Sequence, residues 1–112
     1  MIATLIQDGC SIDYTPAADV AAGDVVVQGE LVGVAPRPIV AGELGALAVE
    51  GVFAFPKAVT AGSAIAAGAN TYWNSVVKQA TTNAAAGANK LIGKTILAAV
   101  DADTTVRVRL LQ

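Results

Sequence analysis

The stretch "DVAAGDVVVQGELVGVA", residues 19–35, decides how the rest of the chain is read. Its valines stand between glycines, and Asp19, Asp24 and Glu30 are its only charges. Two β-rich segments, 24–28 and 30–35, meet at Gln28-Gly29. A glycine there accepts the positive φ that a two-residue hairpin turn requires. The alanines before it, Ala21-Ala22, run into Gly23 before a helical turn can close. The reading is a β-hairpin entered through a glycine turn.

The same pattern recurs outward in both directions. Ala supplies 24 residues, but they cluster around glycines, whereas Val, Ile and Thr supply 31 and tend to alternate. "GALAVEGVFAF", 45–55, reads as one strand with apolar residues on both faces, ended by Pro56. "TYWNSVVK" reads as a hairpin turning near Asn74-Ser75. "LIGKTILAAV" and "TTVRVRLLQ" read as a final pair joined across Asp101-Ala102-Asp103. In the last strand Val106, Val108 and Leu110 face the core, and Thr105, Arg107, Arg109 and Leu111 face water. Ala-Gly pairs begin at 22, 41, 61, 67 and 86. They are read as repeated turn chemistry, in which glycine turns the chain and a nearby acid accepts backbone N–H groups. The fold class expected is all-β: a small barrel or sandwich of short antiparallel strands, with room for one short helix within 61–70 or 81–90. Residues 1–13 form an N-terminal arm or first strand, and 14–112 a single β-domain.

Composition narrows the function. Of 112 residues, 54% are hydrophobic and only 14% charged, so much of the folded surface is neutral. Neutral apolar surface on a small protein favours assembly into a homo-oligomer. The net charge is −2 and the seven cations are scattered along the chain, which argues against nucleic acid as a partner. Every apolar run is broken well before the roughly 20 residues of a membrane span. No basic residue precedes the first apolar patch, so no secretory leader is expected and synthesis in the cytoplasm is.

Catalytic chemistry is hard to find. The chain has no histidine, which removes Ser-His and Cys-His mechanisms and most zinc sites. Cys10 is the only cysteine and is read as a turn residue. Asp8, Asp13, Asp19, Asp24, Glu30, Glu43, Asp101 and Asp103 lie beside turn residues and read as caps. Glu50 alone falls in mid-strand, as an edge or interface acid paired with an Arg. "GKT" at 93–95 fails as a phosphate loop in spacing and context. The lysines in "FPKAV", "VVKQA", "ANKLI" and "IGKTI" lack the flanking residues of a biotinyl or lipoyl hammerhead domain, which remains a remote alternative. No enzyme activity, cofactor or metal is expected.

"IDYTPAADVAAGDVVVQGELVGVA", "IVAGELGALAVEGVFAFPKA", "AGANTYWN" and "LIGKTILAAVDADTTVRVRL" together resemble the small phage and prophage capsid cement, or head-decoration, proteins. The resemblance runs over residues 2–111 in the same order; Cys10 departs from it, standing where a polar residue is expected. It implies a virion structural protein, made in the bacterial host, that adds to the outside of an expanded capsid, binds the major capsid protein and stabilises the shell. It also implies a trimer. Within this reading Ile2, Thr4, Leu5 and Ile6 are candidate partner-binding residues, as a segment able to add a strand to a capsid edge. Tyr72 and Trp73 are the others: neighbours on a strand, they face opposite ways, one into the core and one toward a subunit contact. A host-surface or glycan-binding β-module is the alternative.

Overall fold

The computed structural model describes Ala3 and residues 9–111. Among these, nine strands form: β1 (Ser11–Tyr14), β2 (Val25–Gln28), β3 (Leu31–Val34), β4 (Gly45–Ala48), β5 (Gly51–Pro56), β6 (Asn70–Asn74), β7 (Gln79–Thr81), β8 (Lys90–Thr95) and β9 (Thr105–Leu110). The fold is all-β, in two antiparallel sheets of order β1-β4-β3-β2 and β5-β9-β8-β6-β7. Neither closes into a barrel. The short helix is one 3₁₀ turn, Ala85–Gly87, inside the second of the two expected segments.

The hairpins expected at Gln28-Gly29 and after Asn74 are present, with Gly29 at φ 62. The long strand expected over 45–55 is not one strand. It breaks at Val49-Glu50 into β4 and β5, which belong to different sheets. Gly51 makes the break, at φ 131, a backbone conformation that side-chain-bearing residues rarely adopt. Alternation continues across the break, so periodicity alone could not show it. Glu50 therefore stands exposed in a connection rather than in mid-strand, and its carboxylate accepts a long contact from Cys10 Sγ at 3.5 Å.

Contacts divide the chain into two compact units. The first comprises residues 1–26 and 33–50, and the second 27–32 and 51–112. In the first, Ala35, Ile39 and Leu47 are buried, and Ile12, Tyr14, Val20 and Val26 pack on them. Gly45 is where the core meets β4: a Cβ there would stand 2.7 Å from Ile39. In the second, Phe55, Ile92, Val106, Val108 and Leu110 are all at most 2% exposed. Phe55 lies at 5.9 Å from Trp73 and 6.3 Å from Phe53, ring centre to ring centre. Each such side chain contributes about 1.5–3 kcal/mol by leaving water. β8 carries an irregularity: Thr71 pairs with Gly93, but the next residue, Tyr72, pairs with Leu91. This bulge sends Ile92 into the core and leaves Lys94 outside.

The two sheets repeat one design. In both sheets, the first strand pairs the last, the last pairs the third, and the third pairs the second; β7 is an extra hairpin strand in the five-stranded sheet. Val20 and Ile39 exchange two backbone bonds, and so do Ile65 and Ala99. Gly23 donates to Ala35, whose N–H donates to Asp24; Gly68 donates to Thr95, whose N–H donates to Ala69. Glu43 donates to Val40 O as Asp103 does to Val100 O. Of the Ala-Gly pairs, Ala22-Gly23 and Ala67-Gly68 hold matching places in this doubled backbone network.

Candidate functional site

The structure gathers cations that the sequence scatters. Arg107 and Arg109 project from the outer face of β9, with Ala54 and Val52 of β5 opposite them and Lys94 of β8 opposite Arg109. All three cations are exposed. Two like charges directly opposite one another on adjacent strands repel, so the pair costs stability where it stands. Lys94, Arg109, Asn70, Leu91 and Leu111 line a shallow depression of about 330 Å³. Val52 and Leu111, both about half exposed, flank the cations with apolar surface. Among the described residues the one ion pair is elsewhere, Lys90 Nζ to Glu30 Oε1 at 2.9 Å.

Charge also separates between the units. The first holds six carboxylates against Arg37 alone, a side-chain charge of −5, and the second six cations against Glu30, Asp101 and Asp103, or +3. Asp13, Asp19, Asp24, Glu43 and Glu50 of the first unit are all exposed. The whole-chain charge of −2 conceals this division, which counting by halves of the sequence would have revealed.

Four of the turn carboxylates accept backbone N–H groups as expected, whereas Asp13 lies within β1 and Glu30 pairs with Lys90. Asp24 Oδ2 accepts from Ala21 N, Asp19 Oδ1 from Ala41 N, Asp101 Oδ1 from Ala64 N, and Asp103 Oδ2 from Val100 N. A site not foreseen lies beneath the last two. Lys57 is 4% exposed, and its ammonium is ringed by oxygens. Its partners are Ala58 O at 2.6 Å, Val100 O at 3.0 Å, Asp103 O at 3.1 Å, Asp101 O at 3.2 Å and Ser63 Oγ at 3.3 Å. Four are backbone carbonyls, so the ammonium serves as a knot for two loops. Proline before it and Ala-Val after it carry no sign of this in the sequence.

Of the candidate partner-binding residues, Ile2, Thr4, Leu5 and Ile6 lie outside the described residues. Tyr72 and Trp73 do face opposite ways: Trp73 is 5% exposed against Phe55, while Tyr72 is half-buried on the side that carries Leu91 and Lys94. The surface aromatic of the pair is thus Tyr72. Other apolar groups project from connections, including Leu44 at 71% exposure and Val76, on the β6–β7 turn, at 89%. Among the described residues no three His, Cys, Asp or Glu side chains come together as a metal group, and no helix is long and apolar enough to cross a membrane.

Comparison with known families bears on what this arrangement is for. The model of the phage cement protein family matches residues 6–110, nearly the whole chain. The chain belongs to that family. Comparison with curated proteins and with solved structures gives no match. As a phage cement protein the chain has a structural role at the capsid.

Proposed function

We propose that this phage cement protein binds the outer surface of the assembled capsid through the major capsid protein, as a homo-oligomer, with a trimer favoured, and holds the shell together. The observation that carries the reading is the family match over residues 6–110. Exposed apolar side chains on small loops, with Leu44 and Val76 the most exposed, support a protein that works by contact. Binding only the assembled shell stabilises it by linkage: at a free concentration of about 100 times the dissociation constant, each occupied site adds roughly 2.7 kcal/mol. Many identical sites add together over the shell. The segment holding Ile2, Thr4, Leu5 and Ile6 supplies a strand to a capsid edge. Neither enzyme activity nor nucleic-acid binding enters this reading. The glycan-binding alternative is weakened by the burial of Trp73, the chain's one tryptophan.

The test is co-sedimentation of the purified protein with precursor and expanded heads of its phage, followed by heating of decorated and bare heads. Selective binding to expanded heads and a higher disruption temperature are expected. Deleting residues 2–7 should abolish binding while leaving the thermal melt of the free protein in place. No binding to expanded heads would overturn the reading; undiminished binding by the deletion variant would remove the strand-addition part.

A further inference from the structure

We propose that copies of this protein associate head to tail, the cationic outer face of the five-stranded sheet in one copy docking on the acidic first unit of the next. The inference rests on the homo-oligomer reading above and supplies its mechanism; it is independent of how the oligomer meets the capsid.

Charge complementarity selects the occupant. One chain carries both members of the pair: a unit of side-chain charge +3 with Lys94, Arg107 and Arg109 on one sheet face, and a unit of −5 in which Asp13, Asp19, Asp24, Glu43 and Glu50 are exposed. On the outer face of the basic sheet Lys94, Arg107 and Arg109 stand among Val52, Ala54 and Tyr72, and the paired outward positions hold no carboxylate. The repulsion between Lys94 and Arg109 is relieved when an acid from another chain comes between them.

The doubled architecture sharpens this. Asp13 pairs with Ala46 as Ala54 pairs with Arg107, and Asp13 and Ala46 are exposed as Ala54 and Arg107 are. At this matching position a long cation stands in one sheet, and a small residue beside an acid in the other. Asp13, Leu44 and Ala46 line an open depression of about 650 Å³ together with Arg37. Long guanidinium groups meet a surface with room for them, and Leu44 and Leu111 bring apolar area to the same contact. Ion pairs of this sort set partner choice and approach rate, while the apolar area supplies affinity. Because the two surfaces differ, the contact is heterologous, and repeated copies close into a ring or run on as an open chain. A trimer is one closed form of that contact.

The experiment is sedimentation velocity of the full chain over a concentration series, at about 0.05 M and about 0.5 M salt, where screening shortens the reach of charge severalfold. Wild type is expected to self-associate, and to do so at least about tenfold more weakly at the higher salt. Arg107→Glu with Arg109→Glu should sediment as a single copy, and so should Asp13→Lys with Glu43→Lys. An equimolar mixture of the two double variants should recover association. Circular dichroism melts check folding, and Arg107→Gln with Arg109→Gln replaces the first variant should it fail to fold. A wild-type protein that stays single at both salts overturns the inference, as does an oligomer insensitive to salt and to charge reversal, or a mixture that does not recover. Head co-sedimentation separates the two readings. Single copies that bind heads overturn head-to-tail association and leave the capsid role standing; oligomers that ignore heads do the reverse.

Discussion

Replacing Lys57 by Met keeps an unbranched apolar chain out to the ε position and removes the ammonium. The cost follows from the oxygens left behind. An ammonium has three protons, and five acceptors stand between 2.6 and 3.3 Å, so some protons are shared. Bonds to a charged donor contribute about 1.5–3 kcal/mol each, so three of them give roughly 4.5–9 kcal/mol. Against this, the methionine no longer bears the several kcal/mol of desolvation that a buried charge carries. Asp101 O keeps its bond from Ser63 Oγ at 3.3 Å, and the Lys57 N–H keeps Thr104 O at 2.9 Å. The net expected loss is about 3 kcal/mol, a large share of the 5–15 kcal/mol typical of a small protein.

Urea unfolding followed by fluorescence is the assay. Trp73 is the chain's one tryptophan and is buried in the unit that holds Lys57, so the signal reports on the affected structure. With a slope of about 1–3 kcal/mol/M, the midpoint should fall by roughly 1–3 M. Ser63→Ala, which removes a weaker partner of the same knot, should cost only about 1 kcal/mol. A loss below about 1 kcal/mol for Lys57→Met, or one smaller than that of Ser63→Ala, would refute the idea that the ammonium ties these loops.

Two further substitutions test the sheets. A Cβ at Gly93 would stand 1.9 Å from Arg109 O, backbone that cannot move without breaking the β8–β9 pairing, so Gly93→Ala should cost more than about 3 kcal/mol in the same unfolding assay. Gly45→Ala meets Ile39 side-chain atoms at 2.7–2.8 Å, and a side chain can shift, so about 1–2 kcal/mol is expected there; equal costs at the two sites would contradict the distinction. Glu30→Gln breaks the ion pair with Lys90, yet Glu30 is 87% exposed, so the unfolding midpoint should move by less than the equivalent of about 0.5 kcal/mol.

The strands were legible where alternation and turn chemistry agreed. β9 places Val106, Val108 and Leu110 inward and Arg107 and Arg109 outward, as its period-two pattern requires. The hairpin at Gly29 follows from a residue that tolerates positive φ. What escaped had a physical reason in each case. "ALAVEGVF" keeps its alternation through Val49-Glu50, so the change of sheet left no mark on the pattern. The neighbouring rings Tyr72 and Trp73 were expected to face opposite ways, but only packing against Phe55 decides which is inside. The cationic face needs the register of β8 on β9, which pairs Lys94 with Arg109 and which no local sequence pattern states. Lys57 was invisible because carbonyl oxygens, its chief partners, are the same for every residue.

The doubled network explains how one small chain presents two unlike surfaces. Its bonds run mainly between backbone groups, and where side chains join in, different ones fill the same need. Asp19 accepts the N–H of Ala41 in the first unit; in the second the acid is Asp101 and the donor Ala64, the roles exchanged across matching positions. Buried Pro16, whose carbonyl accepts Gly42 N, stands where the second unit has buried Lys57, whose N–H donates to Thr104 O. A framework held by backbone bonds lets side chains differ at matching strand positions. There Ala46 and Ala48 of one sheet stand against Arg107 and Arg109 of the other. A protein that acts through contact needs unlike faces on a stable frame, and using one β-framework twice provides both without enlarging the core of either unit.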